Sequence, residues 1–379
     1  MAETVSWDEL RELAEFRAEK GCAITLYLDL DPSVVPTAGD ADTRVSSLLA
    51  EGERSGANHS GLTHDQRQAL KADFGRIRDY LENDFQRNGS RGLAIFSAGL
   101  DNVWRPVPLT ESVPDLIRVG REFHLAPLVP LVGRGEGAIV AAVGRERGQL
   151  FRLRSGRLEE VVDQTEEQPG RHDQGGWSQA RYQRHIEKLV DDHLREVADA
   201  LDKRVRQLRT PRVVVVASEE TRADFEGMLS KEVKKAIVGW TSAEAHASAA
   251  DLLAVSLPLL EEARAREERE VVERWREEAG RGGRAASGWE QTLEAASDAR
   301  VETLLYQEGA EHEAWQCPAC GRLAVSGGRC PLDGTELEGR DDGLDLAVHQ
   351  TLAHGGTVRA LTFHRDLEPV GGIGALLRY

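Results

Sequence analysis

Cysteine is scarce in this sequence, and its four residues lack the spread, paired pattern of a secreted disulfide framework. Cys22 stands alone, whereas Cys317, Cys320 and Cys330 fall in one short segment. In a cytosolic chain, clustered cysteines of this kind favour a metal site over disulfides. The cysteine usage therefore excludes a disulfide-stapled fold and predicts a metal-binding segment in the last third of the chain.

Long apolar runs and a secretory signal are also missing. The longest nearly unbroken apolar stretch, Leu252 to Leu260, is about half of the ~20 residues that cross a bilayer, and Ser256 and Pro258 interrupt it. The first residues contain neither a basic segment nor an apolar segment behind one, as a signal peptide would. We therefore expect no membrane span and a cytoplasmic location.

Basic residues are too few for a general nucleic-acid coat protein. The chain has 65 acidic and 48 basic residues, which give a formal charge of −17. Because Lys and Arg carry phosphate binding through counterion release, such a chain can bind RNA only through a local basic surface.

The sequence is long enough, and apolar enough, for several folded domains. Its 379 residues are 40% hydrophobic, and domains usually contain roughly 100–200 residues. Strand patterns alternate with helical patterns along the chain, which is typical of α/β folds. We predict three α/β domains, over residues 1–124, 125–256 and 257–379.

Apolar periodicity predicts the main elements. The predicted strands lie at 23–30, 92–97, 138–143, 149–153, 212–217, 236–238, 301–306 and 357–361. The predicted helices lie at 65–88, 182–208 and 219–229, from about 243, and at 257–279, 288–299 and 343–353. A polar stretch reaches from the end of the first strand to Thr63, and a turn-rich loop at 164–176 opens onto the helix at 182–208.

The end of this loop is the most informative segment, Gly175-Gly-Trp-Ser-Gln-Ala-Arg-Tyr-Gln-Arg184. Two adjacent glycines let the backbone take positive φ and approach another surface closely. A helix that begins just after them presents free N–H groups and the positive end of its dipole, both of which suit a phosphate or an oxyanion. The alternative is an ordinary glycine turn that starts a helix.

Basic residues surround this loop on an otherwise acidic chain. Arg181, Arg184 and Lys188 are spaced to share one helix face, and Arg171 and His172 precede the glycines. Such a local basic end can bind an RNA backbone without making the whole chain bind nucleic acid.

The glycine segment resembles the central domain of the class 1 peptide chain release factors of archaea and eukaryotes, which carries Gly-Gly-Gln followed by Ser and a helix with Arg. Three further stretches are similar to that family in the same order. Phe123-His-Leu-Ala-Pro-Leu128 resembles its first domain junction, and Val301-Glu-Thr-Leu-Leu305 and the ending Gly371 to Tyr379 resemble its third domain. The resemblance implies a central RNase H-like fold, a site of action on the ribosome beside the tRNA end, and a C-terminal domain that contacts a translational GTPase such as EF-Tu.

The sequence departs from the family in two ways. The stop-codon-reading segments, Asn-Ile-Lys-Ser and Tyr-x-Cys-x-x-x-Phe, are missing from residues 1–124. Trp177 stands where the family has glutamine, and an indole can only donate a hydrogen bond. Codon-specific termination is therefore not expected.

Two functions follow from the altered loop. Gly176-Trp-Ser-Gln179 is similar to the Gly-x-x-Gln arrangement of the Vms/Ankzf branch, which releases stalled nascent chains from tRNA. Gln179 would then position a water or a ribose hydroxyl at the peptidyl-tRNA ester, while the backbone at Gly175, Gly176 and Ser178 helps to bind RNA and the oxyanion. Without that role, Gln179 is a surface helix residue.

The alternative is binding without chemistry. The Balon group of hibernation factors in the same superfamily uses an altered loop as a plug in the ribosomal A site, together with EF-Tu. Trp177 suits this role because an indole can stack on a nucleobase, an interaction worth roughly 1–3 kcal/mol. It could equally pack against its own domain.

The cysteine segment contains Cys317-Pro-Ala-Cys320 and Cys330-Pro-Leu-Asp333, each followed by glycine. This is a zinc-knuckle pattern in which Asp333 replaces the fourth cysteine, and zinc accepts carboxylate oxygen. His312 is another candidate ligand. The resemblance favours a structural zinc, since related third domains carry a similar insertion, while a knuckle held by packing alone is the alternative. We expect no organic cofactor.

Overall fold

The structure is a computed structural model that describes residues 5–35, 38–57, 62–132, 137–154, 156–165, 177–208, 210–244 and 246–379. Side chains are described for these residues except at positions 38, 40, 41, 57, 164, 165 and 177–186. The chain forms two compact units, one from Met1–Arg134 with Glu268–Tyr379 and the other from Gly135–Glu267. The predicted division into three domains stays a prediction.

The first unit begins with a four-stranded antiparallel sheet in the order β3-β2-β1-β4. Its strands are β1 (Ala23–Asp29), β2 (Gly92–Ala98), β3 (Val103–Leu109) and β4 (Leu116–Gly120). Its helices are α1 (Trp7–Glu15), α2 (Ala38–Ala57) and α3 (His64–Asp79), the last continued by a π-helical turn at Tyr80–Asp84. The predicted strands at 23–30 and 92–97 are thus confirmed. Nearly every residue of β1 and β2 is buried, so both faces of these strands are covered.

Helix α2 corrects the prediction of a polar connection before Thr63. Val45, Leu48 and Leu49 pack into the core of this sheet. Gly52 and Gly56 face the same core, where a Cβ atom would stand 2.6 Å from Ile117 and from Leu70, respectively. The glycines are therefore small residues on a packed helix face, although they resemble turn residues in sequence.

The same unit contains a second sheet in the order β10-β16-β11-β15, in which only β11 and β15 are parallel. Its strands are β10 (Ala285–Ser287), β11 (Val301–Gln307), β15 (Thr357–Leu361) and β16 (Ile373–Leu377), and its helices are α8 (Gly288–Ser297) and α9 (Gly343–Ala353). Between β11 and α9 lies a small sheet of β12 (Ala314–Gln316), β13 (Leu323–Ala324) and β14 (Glu338–Arg340). One apolar cluster joins Tyr27 and Phe123 to Trp289, Leu304 and Leu346.

The second unit is a five-stranded sheet in the order β7-β6-β5-β8-β9. Strands β6 and β7 run antiparallel to their neighbours, and β5, β8 and β9 are parallel. The strands are β5 (Ala138–Val143), β6 (Arg147–Arg154), β7 (Arg157–Thr165), β8 (Arg212–Val216) and β9 (Ile237–Thr241). The helices of this unit are α4 (Trp177–Val205), α5 (Glu219–Met228) and α6 (Lys231–Ala236).

Helix α7 (Ala249–Gly280) runs without interruption through Pro258. The sequence predicts two helices here, the second one starting near 257, and this is wrong. Proline removes one backbone hydrogen bond from a helix interior and often kinks or breaks it, but flanking turns can retain the helix. Both sides of Pro258 are anchored by buried residues, Leu252 and Leu260.

The prediction of an α/β fold with several sheets is confirmed. Among the described residues, every helix is either too short or too polar to span a bilayer.

Candidate functional site

Helix α4 begins at Trp177, directly after the two predicted glycines. The predicted loop residues Arg171, His172, Gly175 and Gly176 lie outside the described residues. The long helix itself, predicted from apolar spacing over 182–208, is confirmed.

The first turns of α4 carry most of the predicted RNA-contacting residues. Its first three positions are Trp177, Ser178 and Gln179, and Arg181 and Arg184 follow one and two turns after Trp177. Only the backbone of these five residues is described. The first four N–H groups of a helix have no partner within the helix, and they stand at the positive end of its dipole. The backbone around Gln179 can therefore donate hydrogen bonds to an anion.

The rest of α4 is anchored to the sheet of its unit. Val190, Leu194, Val197 and Leu201 are buried against the strands. The approach is close at Gly148 of β6, where a Cβ atom would come within 2.2 Å of Val197. Such packing fixes the direction of the helix, and thereby the position of its first turn.

Charged side chains of α4 are described from Glu187 onward. Lys188 is exposed. Beyond it, Asp191 and Asp192 lie 3.7 and 3.2 Å from the guanidinium of Arg195, so two carboxylates share one positive charge. Basic residues return in the last turn of α4, at Lys203 and Arg204.

The second site is the cysteine segment between β12 and β14, where two turns have the same backbone geometry. Gly321 N–H donates to the carbonyl of Cys317, and Gly334 N–H donates to the carbonyl of Cys330, each at 2.9 Å. Both glycines take positive φ, +79° and +76°. Asp333 therefore occupies in the second turn the position that Cys320 occupies in the first.

The four predicted ligands come together. One ligand atom each from Cys317, Cys320, Cys330 and Asp333 lies within 4.8 Å of the others. Cys317 Sγ is 3.4 and 3.7 Å from the Asp333 oxygens, and Cys320 Sγ is 3.5 Å from Cys330 Sγ. Two ligands of one tetrahedral zinc lie about 3.6–3.8 Å apart when zinc is ~2.3 Å from sulfur and ~2.1 Å from oxygen. The residues fit a zinc ion.

The pKa values of Cys320, Cys330 and Asp333 are shifted in different directions. The backbone N–H of Arg322 lowers the pKa of Cys320, but burial and the neighbouring ligands raise that pKa to about 12. Burial raises the pKa of Cys330, yet backbone N–H groups and the neighbouring thiols bring it below its ordinary value. Hydrogen bonds from Thr335 hold the pKa of Asp333 at about 2. A zinc ion would replace the remaining thiol protons, because it binds the thiolate.

His312, the other candidate ligand, is not part of the group. Its ring stacks on Trp289 with centroids 4.9 Å apart, and its Nδ1 contacts the carbonyl of Glu313. Cys22 lies apart as well, buried beside β1, where burial raises the pKa of its thiol. Four protein ligands would leave no open position for substrate, so a metal ion held here would be structural.

A family model described as "Bacterial archaeo-eukaryotic release factor family 10" matches residues 124–258. The matched range contains β5 to β9 and the whole of α4. It therefore includes every residue predicted for the loop and the basic helix face.

Characterised relatives extend the likeness beyond this range. Peptide chain release factor subunit 1 of Archaeoglobus fulgidus is 23% identical over 416 aligned positions, which cover 100% of this chain and 98% of that protein. The same factor of Methanopyrus kandleri is 27% identical over 216 positions, which cover 54% and 52% of the two chains. Among solved structures, a ribosome-bound archaeal Pelota with ABCE1 is similar at 12% identity and a TM-score of 0.45, covering 100% of this chain and 95% of that one.

The curated relatives define the chain as release-factor-like, because its similarity to an archaeal release factor extends over its whole length. Its central residues match the model of bacterial archaeo-eukaryotic release factor family 10. The resemblance inferred from the sequence is thus confirmed. Sequence reasoning missed one buried group, formed by His124, Asp342 and Asp345. The only sequence signal was the stretch from Phe123 to Leu128, whose partners lie far along the chain.

Proposed function

We propose that this protein is a translation factor that enters the ribosomal A site without a stop codon and hydrolyses the peptidyl-tRNA ester. Similarity to archaeal release factors over the whole chain supports a role in translation. The observation that carries the proposal is the start of α4 at Trp177, inside the family-matched range, which puts Gln179 in the first turn of a helix. Action beside the tRNA end would occur in the cytoplasm, on the ribosome.

Gln179 acts on the attacking water in this proposal. Its amide oxygen accepts a hydrogen bond from the water, whose oxygen attacks the ester carbonyl carbon and forms a tetrahedral intermediate. The free N–H groups at the helix start, together with the backbone of Gly175 and Gly176, would hold the developing oxyanion. The ester C–O bond then breaks, and a proton from the water passes to the ribose oxygen. The products are a peptide with a free carboxylate and a deacylated tRNA.

The basic residues beside the loop hold the RNA. Arg181, Arg184 and Lys188 recur on one helix face, and Arg171 and His172 precede the glycines. Guanidinium and ammonium groups bind phosphate, whereas the acidic remainder of the chain repels it. The contact is thereby limited to the tRNA end and the rRNA around it.

The remaining parts would support binding. We propose that residues 125–256 form an RNase H-like domain, since β5, β8 and β9 are parallel while β6 is antiparallel to both of its neighbours, β5 and β7. Residues 257–379 would form a C-terminal domain held by a structural zinc and contacting a translational GTPase such as EF-Tu. Residues 1–124 would face the decoding region.

Trp177 favours a second candidate function, ribosome hibernation without hydrolysis. It is the first residue of α4 and stands where the release factors carry glutamine. Stacked on a nucleobase, it would plug the A site together with EF-Tu.

A paired release and binding assay separates the two functions. If the protein is a hydrolase, the wild type releases peptide from stalled ribosome complexes that have no stop codon in the A site. In that case Trp177→Ala weakens binding, by roughly 5- to 150-fold if the indole stacks on a base, and release continues at saturating concentration. Absence of release by the wild type, with binding lost in Trp177→Ala, identifies the plug instead.

A further inference from the structure

A buried polar group lies in the first unit. It consists of His124, which follows β4, and of Asp342 and Asp345 at the start of α9. One ligand atom from each of the three residues lies within 4.8 Å of the others. Buried ionised groups are costly unless they are paired or bind a cation, so this group requires a counter-charge.

Asp345 is oriented by backbone donors. Its Oδ1 accepts hydrogen bonds from the N–H groups of Leu125 and Ala126, at 2.6 and 2.8 Å. Its Oδ2 is directed toward the histidine and lies 3.3 Å from His124 Nδ1. The side chains of His124 and Asp345 are only 12% and 7% exposed.

Asp342 also has one oxygen fixed by a hydrogen bond, but its donor is a side chain. Its Oδ2 accepts a hydrogen bond of 2.9 Å from the Nη2 of Arg340, and its side chain is 7% exposed. Its Oδ1 is buried and has no hydrogen-bond partner in the part of the chain that the structure describes. Each carboxylate thus has one oxygen fixed by an N–H donor and another oxygen available, the arrangement by which outer hydrogen bonds orient metal ligands.

The charges in the group are unbalanced when His124 is neutral. Two carboxylates face one guanidinium, Arg340, while the nearby Arg118 is 3.7 Å from a different carboxylate, Asp341. A proton on His124 or a bound cation would restore the balance. Burial lowers the pKa of His124, but the neighbouring carboxylate of Asp345 raises it by more, so the net shift is upward. Protonation of His124 is therefore the alternative to a bound cation.

The geometry favours the cation. His124 Nδ1 makes no aligned hydrogen bond within the described residues, although Asp345 Oδ2 is 3.3 Å away. Two ligand atoms that are each ~2.1 Å from one ion, with an angle of about 90–109° at the ion, lie about 3.0–3.4 Å apart. The 3.3 Å between His124 Nδ1 and Asp345 Oδ2 falls within this range. The lone pair of a neutral imidazole and the two free carboxylate oxygens would then meet at one point.

We propose that His124, Asp342 and Asp345 bind one divalent cation that accepts mixed nitrogen and oxygen ligands. These three ligands include no sulfur, so they suit Mn²⁺. The cysteine group at 317–333 offers thiolates instead, and thiolates prefer zinc. The ion ties residues 124–126 to the start of α9 and thereby joins the two larger sheets of the first unit. This proposal does not depend on the function of the glycine loop.

Manganese titration of the full chain, first loaded with one equivalent of zinc, tests the site. Electron paramagnetic resonance of free Mn²⁺ is expected to show one Mn²⁺ bound per chain, with echo modulation from an imidazole nitrogen. Asp342→Asn keeps the shape of the side chain but removes its charge, and it is expected to weaken Mn²⁺ binding at least about 10-fold. Asp341→Asn is the matched control, because Asp341 is adjacent in sequence but 75% exposed; it should leave binding unchanged.

Three results would overturn the site: a wild-type chain that binds no Mn²⁺, bound Mn²⁺ without imidazole modulation, or equal affinities in Asp342→Asn and Asp341→Asn. The first two are measured on the wild type, so they decide the question even if Asp342→Asn does not fold. In each case protonated His124 is the counter-charge.

Discussion

Replacing Gln179 with alanine is expected to slow peptide release from stalled ribosome complexes by about 100-fold or more while ribosome binding persists. Loss of one positioned polar group at a developing oxyanion or attacking water typically costs 10²–10³ in rate. Binding persists because the basic residues and the loop backbone are unchanged. The rate is measured in single-turnover assays at saturating factor, where a change in affinity does not contribute.

Gln183→Ala is the matched control for this experiment. Gln183 is the same residue type one turn further along α4. A glutamine that acts only as a helix surface residue would make the two variants equivalent. Equal release rates for Gln179→Ala and Gln183→Ala would therefore remove Gln179 from the mechanism.

Cys330→Ser is expected to abolish zinc binding and to destabilise the first unit by about 4 kcal/mol or more, because loss of a metal is among the causes of the largest single-residue effects. Cys330 is 3% exposed, and its Sγ faces Cys320. Without zinc, the two turns that carry the ligands are joined mainly by short strands. Metal content by mass spectrometry and urea unfolding followed by tryptophan fluorescence measure the two effects.

Cys22→Ala serves as the control for the zinc prediction, because Cys22 is also buried but lies beside β1 and outside the ligand group. Its metal content should equal that of the wild type, whatever happens to its stability. Asp333→Ala should lose zinc as Cys330→Ser does. A wild-type protein purified without zinc, and unable to take it up, would contradict the prediction and leave the knuckle held by packing.

Local patterns in the sequence predict the elements whose apolar residues repeat regularly. Helix α4 was predicted from residues such as Leu194 and Leu201, both fully buried in the structure, and strand β8 from its run of valines. Helix α2 was missed because Gly52 and Gly56 imitate turn residues, and only the packing against Ile117 and Leu70 explains them. The helical conformation of α2 is therefore explained by its packing against the sheet and not by local helix propensity.

The candidate sites differ in how much of them the sequence predicts. The sequence predicts that Asp333 joins the three cysteines in one group, because the four residues follow a short repeated turn pattern, and the structure brings them together. That the group binds zinc stays a prediction. The group around His124 was missed because its pairing is nonlocal: Leu125 and Asp345 are 220 positions apart. No periodicity or spacing rule connects residues at such a distance, and only the fold brings them together.

A ribosome-bound structure of this protein tests the central claim most directly. The account predicts residues 171–188 beside the acceptor end of the tRNA in the peptidyl transferase centre, with Gln179 near the ester and Arg181 and Arg184 near RNA phosphates. A factor bound with this segment far from the peptidyl transferase centre would contradict both the release function and the plug.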